Sequence, residues 1–421
     1  MKVLFVLHRF FPDSIGGTEQ HVWDLAHGLR ERGHEVAVFY RATGPAGLQL
    51  SEWDGIPTYR AQAGPLQPLP VFLSTLYDPR LTALFRQVVS SFRPDVIYLA
   101  HLMGLPIALT AELRRLHIPW VLSLHDYWWV CANAQLITND TEELCDGPRY
   151  WVNCARCGLA RLGWRRLAPL APALAPAMAL RGRRLRSGLE RADRILAFSE
   201  FVRTWYLRHG TPAERLVRVR MGIRGPEVIP RRTRLEGPVR FLYAGGLAPQ
   251  KGLHVLIEAF QRADAPAELW IAGDVQAFPA YVERLRMSAR HPGIRFLGRV
   301  ARDDLWPLMA EADVVAVPSL WHETFSYLAH EAFLVGVPVV ASAVGALPEV
   351  VQHEVNGILV PPGDVDAWTV ALRQLASDPV LRAHLRSHLP PVRTFAEYLD
   401  EMEALLATVV SSRQPSGHER L

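Results

Sequence analysis

Lysine is almost missing from this chain. Only Lys2 and Lys251 occur in 421 residues, and arginine carries nearly all the positive charge. A genomic bias toward arginine codons accounts for that composition without any function, but it singles out Lys251 as the only interior lysine. Long apolar runs are missing too. No stretch reaches the ~18 uninterrupted apolar residues of a membrane span. Met1-Lys2 runs straight into VLFVLH, which halts at His8 and Arg9, too short for the apolar region of a cleavable signal. A cytoplasmic protein is expected. The net charge is only +4, near balance, which argues against nucleic acid as a partner. There is no GxGxxG fingerprint, and GLAPQKG is not a Walker A loop, because its Gly-to-Lys spacing is short and no Ser or Thr follows the lysine. The single DxD, Asp364-Val365-Asp366, follows Pro-Pro-Gly and reads as a helix N-cap; no catalytic metal is expected.

What is present is an alternation of strand and helix from end to end. Apolar runs that read as strands are 2–8, 35–40, 96–101, 120–125 and 194–199, then 240–246, 268–273, 294–298, 314–319, 338–344 and 357–361. Helical patterns such as EQHVWDLAHGLRERG and KGLHVLIEAFQRA separate most of them. That order predicts parallel sheets covered on both faces, an α/β chain of two doubly wound Rossmann-like domains. Residues 1–222 form the first domain, 223–238 (rich in Pro, Gly and Arg) a linker, 239–393 the second, and 394–421 a final helix expected to pack back on the first. In open α/β sheets ligands bind beyond the carboxyl ends of the strands, so two such domains facing each other would place a site in the cleft between them.

The stretch WHETFSYLAHEAFLVGVPVV, 321–340, carries two glutamates eight residues apart, Glu323 and Glu331. Phe325, Leu328, Ala329, Ala332 and Phe333 repeat with the period of a buried helical face, which Gly336 and Pro338 end. Helical rise would separate the carboxylates by ~12 Å along the axis, with an anion-attracting helix start between them. Two hydroxyl-binding carboxylates around a phosphate site suit a nucleotide sugar. Two solvated glutamates on a surface helix are the plain alternative.

Other loops carry similar chemistry. After the first strand, Gly16-Gly17 lets backbone approach a ligand and opens a helix, or simply makes a tight turn. After strand 240–246, Gly245-Gly246 leads to Lys251-Gly252 at a helix start, where a lysine opposes the dipole unless an anion sits there. The strand 120–125 ends in His125-Asp126, placed to hydrogen-bond a sugar hydroxyl or move a proton, unless it is a structural histidine.

All four cysteines fall in 131–157: Cys131, Cys145, Cys154 and Cys157. Their clustering and the closing CxxC suit a tetrahedral structural zinc; free thiols or a redox pair are the other readings. From Gly147 to Leu189 nine arginines and no acidic residue are interleaved with Trp151, Trp164 and many Leu and Ala. The segment, 158–189 above all, is similar to one lying on an anionic membrane surface. A solvated basic face with a Pro-kinked helical lid explains it equally.

Taken together the motifs resemble glycosyltransferase family 4, the retaining GT-B enzymes with an E-x7-E motif. The matches run in order: Gly16, Gly17 and Glu19; His125-Asp126; Ser199-Glu200; G-x-L-x-x-x-K-G at 245–252; E-x7-E at 323–331; G-x-x-P-E from Gly345 to Glu349; and NGxLVxPGD at 356–364. Gly246 stands where the family commonly has Arg, and Thr324 and Ser326 where it has Gly. The resemblance implies hexosyl transfer with retention from a UDP-, GDP- or ADP-linked sugar to a saccharide or lipid-linked acceptor, in envelope or exopolysaccharide synthesis. It implies that Glu331 binds the ribose, that Glu323 contacts the transferred sugar, and that N–H groups by Phe325 and Ser326 face phosphate. It further implies that Lys251 neutralises the diphosphate, that His125 binds the donor sugar, and that Gly17 lies near donor phosphate or acceptor. A nucleotide-sugar epimerase, a phosphorylase and a non-catalytic sugar-nucleotide binder are the alternatives.

Overall fold

A computed structural model describes residues 1–64, 66–230, 236–276 and 278–413. Of the expected linker 223–238, residues 231–235 lie outside the described residues. Contacts divide the chain into two compact units: Met1–Arg220 together with the stretch from Ala396, and Met221–Phe395.

The first unit holds strands β1 (Lys2–Leu7), β2 (Glu35–Ala42), β3 (Gly47–Trp53), β4 (Ile56–Gln62), β5 (Val96–Leu99), β6 (Trp120–Leu124), β7 (Arg194–Ala197) and β8 (Leu216–Arg218). They form one sheet in the order β3-β4-β2-β1-β5-β6-β7-β8. β1, β2, β5, β6 and β7 pair in parallel, as their continuous apolar sequences predict. The edge differs from the expected all-parallel sheet: β3 pairs antiparallel with β4, and Trp53 faces Ile56 across a two-residue turn. Asp54 and Gly55 in that turn both have positive φ, 51° and 73°. This is the backbone of a tight hairpin turn matched to strand twist, for which Asp-Gly is a preferred pair.

The second unit holds β9 (Val239–Ala244), β10 (Ala267–Ala272), β11 (Ile294–Gly298), β12 (Val314–Val317), β13 (Val339–Ser342) and β14 (Gly357–Val360). The order β11-β10-β9-β12-β13-β14 is parallel throughout. Alternate side chains face opposite layers. Phe241 and Tyr243 enter one core with Leu256, Phe260, Trp368 and Leu372 from the helices Leu253–Ala263 and Val365–Ser377. Leu242 and Ala244 enter the other with Ala329, Ala332 and Phe333 from the helix Tyr327–Leu334. Each fully buried Leu or Phe contributes roughly 1.5–3 kcal/mol through the hydrophobic effect. These two layers therefore fix where the strand-end loops emerge.

The C-terminal helix Phe395–Ser411 is tied to the first unit. Tyr398 buries its hydroxyl 3.4 Å from His21 Nε2, Arg32 donates to Asp400 and Glu403, and Arg413 donates to Asp193.

Gly55→Ala should destabilise the first unit by about 1 kcal/mol, because a Cβ there meets both the left-handed backbone penalty and the Arg30 guanidinium. Urea titration of the full chain checks it; a stability equal to wild type would contradict the hairpin geometry.

Candidate active site

In the second unit, three loops leave the carboxyl ends of the adjacent strands β9, β12 and β13 and meet at one residue, Glu323. Glu323 Oε1 accepts from Lys251 Nζ at 2.8 Å, Trp321 Nε1 at 2.9 Å and Ser319 Oγ at 2.5 Å. Glu323 is only 5% exposed, so it needs this company; an unpaired buried carboxylate is costly. Lys251 keeps about a third of its side chain accessible and also lies 5.1 Å over the Trp321 ring. Backbone contacts lock the loops. Leu320 N donates to Gln250 O at 2.9 Å and Ala346 N to Glu323 O at 2.8 Å. Gly252 and Gly345 both have positive φ, 69° and 62°, and a Cβ on either would clash with backbone, of Pro318 and Glu323 respectively. Both glycines are thus required for close approach.

Glu331 is not a solvated surface residue either, being 4% exposed on the helix Tyr327–Leu334. Arg302 Nη2 stands 2.9 Å from Glu331 Oε1, an ion-pair contact without hydrogen-bond alignment. Sequence reasoning did not find Arg302: it lies at the start of another helix, Arg302–Ala310, and no motif links the two. The helix carrying Glu331 begins at Tyr327, so Glu323 sits on a loop and the helical ~12 Å spacing does not describe the pair. Ser326 is the N-cap, with φ 67°, and makes no side-chain cap bond. Phe325 is buried and stacks on His330 at 4.1 Å, and Thr324 is buried between Glu323 and Phe325 in the chain. Gly245 and Gly246 close β9, where Gly246 O accepts from Tyr243 at 2.7 Å. Asp364 acts as the expected N-cap, accepting from Ala367 N at 2.9 Å.

In the first unit, Gly16 caps and Gly17 opens the helix Gly17–Glu31 beyond β1. Three neighbouring strands, β1, β5 and β6, are each followed within two residues by a histidine: His8, His101 and His125. His8 and His101 pack ring to ring at 4.5 Å, and His101 Nε2 lies 3.0 Å from Asp126 Oδ2. His125 Nε2 pairs with Ser123 Oγ at 3.0 Å, and its ring meets His21 edge-on at 4.8 Å. His21 Nε2 pairs with Tyr98 at 2.9 Å. Burial holds His8, His21 and His125 neutral, with His21 pushed down to about 3. Glu19, buried and bonded by Ser14 Oγ at 2.7 Å, is shifted the other way by the same desolvation. Of this cluster, only His125, Asp126 and Glu19 belong to motifs read in the sequence. The repeated histidine at three strand ends was the signal for the rest.

The four cysteines are not drawn into the tetrahedral set that their spacing suits. Cys154 and Cys157 lie one turn apart on the helix Val152–Arg161, Cys131 and Cys145 on the loop before it, and all four are free thiols. Among the described residues no three His, Cys, Asp or Glu side chains form a metal-ligating group. Instead Asn139 bonds Cys157 Sγ through its backbone N at 3.3 Å and its side chain at 3.1 Å. Burial, reinforced by the neighbouring thiols, raises Cys154 to about 12.

Comparison with known proteins identifies the family and the fold. Residues 15–224 match the family profile described as Glycosyltransferase Family 4, and residues 238–378 that described as Glycosyl transferases group 1. A D-inositol 3-phosphate glycosyltransferase of Xylanimonas cellulosilytica is 30% identical over 385 residues, 88% of this chain and 85% of that one. An uncharacterized glycosyltransferase of Methanocaldococcus jannaschii is 26% identical over 90% of each chain. Among solved structures, a sucrose-phosphate synthase from Thermosynechococcus elongatus superposes with a TM-score of 0.72 at 20% identity, covering 98% of this chain and 99% of that one. Anabaena HepE in complex with UDP gives 0.68 at 20% identity, covering 97% and 100%. Two Rossmann-like units, each with polar groups gathered at its strand ends, define a GT-B fold. The chain belongs to the family 4 glycosyltransferases.

Two outcomes follow from the side-chain environments. Ser326→Gly should raise thermal stability by up to about 1 kcal/mol, since glycine removes the left-handed penalty at the cap; a lower Tm would show that the serine is needed there. The buried neutral histidines, with His330 also pushed down to about 4, bind protons in the unfolded chain below pH ~6.5 but not in the folded one. Stability should therefore be level in this respect above pH ~7 and fall as pH drops through 6, by up to ~1.4 kcal/mol per pH unit for each group. Glu19, raised by burial, opposes this above its ordinary value. A Tm that stays constant from pH 7 to pH 5 would refute it.

Proposed function

We propose that this glycosyltransferase moves a hexose, with retention, from a nucleoside diphosphate sugar to a saccharide or lipid-linked acceptor. The observation that carries the reading is the Lys251–Glu323 pair, whose glutamate stands on the loop leading into the helix that buries Glu331. Departure of the sugar leaves negative charge on a diphosphate and builds positive charge at the anomeric carbon. A lysine and free helix-start N–H groups aimed at that phosphate stabilise it; one such donor is worth ~2.7–4 kcal/mol in the transition state. Lys251 already shares its proton-rich head with Glu323, so an incoming diphosphate would compete for the lysine while a sugar hydroxyl takes up the carboxylate. Glu331 would accept from ribose hydroxyls and Arg302 would hold its carboxylate in place. His125, neutral through burial, would hydrogen-bond a sugar hydroxyl without adding charge. The family likeness supports retention, and UDP in HepE supports the donor class. The acceptor is assigned to an envelope or exopolysaccharide, and the place of action to the inner face of an anionic membrane. In support, Trp164, Leu167, Leu170 and Leu174 are exposed beside Arg166 on the Gly147–Leu189 segment. No helix among the described residues is long and apolar enough to cross a membrane.

The deciding experiment is thermal stabilisation by UDP, GDP and ADP and their sugars, run on wild type, Glu331→Ala and Lys251→Met. One nucleotide at a hundredfold its Kd should add ~2.7 kcal/mol to wild type, and Glu331→Ala should lose that effect. Lys251→Met should lower kcat/KM by roughly 10²–10³. Stabilisation by no nucleotide would sink the donor assignment. Binding without transfer to any acceptor would favour the non-catalytic alternative, and interconversion of the sugar would favour an epimerase.

A further inference from the structure

The chain from the end of β6 to the helix Val152–Arg161 is stitched into a small knuckle. It begins in a turn, where Cys131 N donates to Tyr127 O at 2.7 Å and Tyr127 N to Ala134 O at 3.0 Å. A short hairpin follows: Ile137 bridges Leu144 antiparallel, and Cys145 N donates to Leu136 O at 2.8 Å. The helix then presents Cys154 and Cys157 in its first turns. All four cysteines of the chain therefore lie here, one at the turn, one at the foot of the hairpin and two on the helix. They are half-buried, and Cys131, Cys145 and Cys157 are each near enough to act electrostatically on Cys154.

The surroundings favour thiolate over thiol. Asn139 bonds Cys157 Sγ from both its backbone N and Nδ2. Cys145 Sγ lies 3.4 Å from Gly147 N and 3.7 Å from Asn153 Nδ2, and the backbones of Leu136 and Asn133 bond Cys131. N–H donors aimed at sulfur stabilise its anion, and outer-shell bonds of this kind orient metal ligands. Arg181 adds a cation. It is 2% exposed, donates to Trp128 O at 2.8 Å and lies 5.2 Å over the Trp128 ring. Burial works against its charge, and the groups that favour it are, in order, Cys131, Cys154, Tyr206 and Asp126. Asp126 comes last and is shared with His101. A buried guanidinium needs negative charge nearby, which neutral thiols do not supply. The backbone is held as well: Ala134, Leu136, Glu142, Tyr150 and Trp151 all have positive φ, a conformation that persists only where other contacts enforce it.

We propose that Cys131, Cys145, Cys154 and Cys157 bind one zinc ion as a tetrathiolate, which fastens the turn after His125-Asp126 to the helix Val152–Arg161. Among the described residues the side chains do not by themselves close into a ligating set. The ion draws the sulfurs to Zn–S distances of ~2.3 Å, the helix pair serving as the fixed half and the turn and hairpin cysteines moving in. Each thiol releases its proton to solvent as its Zn–S bond forms, and no electron is transferred. The product is a doubly negative cluster beside Arg181. With all four positions filled by protein the ion is structural and leaves none for a substrate.

The test involves no sugar and no acceptor, so its outcome is independent of the donor assignment. Plasma mass spectrometry of the full chain, purified under reducing conditions, should find about one zinc ion per chain. The metal-free reduced chain is then titrated with Co²⁺, which should produce the intense thiolate charge-transfer and d–d bands of a tetrahedral tetrathiolate, erased by added zinc. Cys154→Ser/Cys157→Ser should abolish both signals. Asn139→Ala keeps every sulfur and removes only an outer-shell donor. Against a competing chelator it should hold zinc roughly tenfold or more weakly than wild type, with an unchanged circular dichroism spectrum. Zinc below about a tenth of an ion per chain, together with no Co²⁺ bands, would overturn the proposal. So would zinc retained by the double serine variant, which places the ion elsewhere, or a disulfide among the four in zinc-supplemented protein, which assigns them to redox chemistry.

Discussion

A single buried carboxylate oxygen organises the second unit. Glu323 Oε1 accepts from an ammonium, an indole and a hydroxyl, and each comes from a different point on the chain around β12 and β9. Buried charge of this kind is stable only while all its partners are in place. The loops must therefore be held more tightly than surface loops usually are. The structure does this with backbone, not side chains: two glycines with positive φ let the strand-end loops touch, and main-chain hydrogen bonds from Leu320 and Ala346 fasten them. Side chains at this position could shift; the loops that carry them are locked to the sheet.

The first unit solves a related problem differently. Its strand ends gather histidines and a glutamate where desolvation opposes charge, so the imidazoles of His21 and His125 are neutral and bond to hydroxyls of Tyr98 and Ser123. Neutral imidazole can donate and accept at once, and this suits recognition of hydroxyl-rich ligands better than a fixed charge. The C-terminal helix contributes Tyr398 to the same cluster, so the end of the chain is part of the architecture that surrounds the strand-end histidines.

Much of this was legible in the residues, because parallel strands buried on both faces are apolar without interruption. The runs at 2–8, 96–101 and 314–319 overlap β1, β5 and β12 almost fully. The β3–β4 hairpin escaped because Leu48, Gln49, Leu50 and Ser51 lie at an edge with one solvated face; its Asp-Gly turn was nevertheless a readable signal. The burial of Glu323 and Glu331 could not be read, since nothing in a linear sequence reports that Trp321 and Ser319 turn inward or that Arg302 arrives from another helix. Ser326 was visible as a departure from a family glycine, but its left-handed backbone explains why glycine is common there. The cysteine spacing brings four thiols near one another, and the other three all act on Cys154, but spacing alone does not say how four sulfurs are oriented on a common centre.

The scarcity of lysine has a practical side. Amine-selective reagents meet, apart from the chain's amino terminus, two side chains in all 421 residues, and Lys2 lies at the far end of β1 in the other unit, paired with Glu35. Lys251, a third of it open to solvent, is thus a nearly unique chemical address, and a reporter group attached there would stand beside Glu323 without any engineered cysteine.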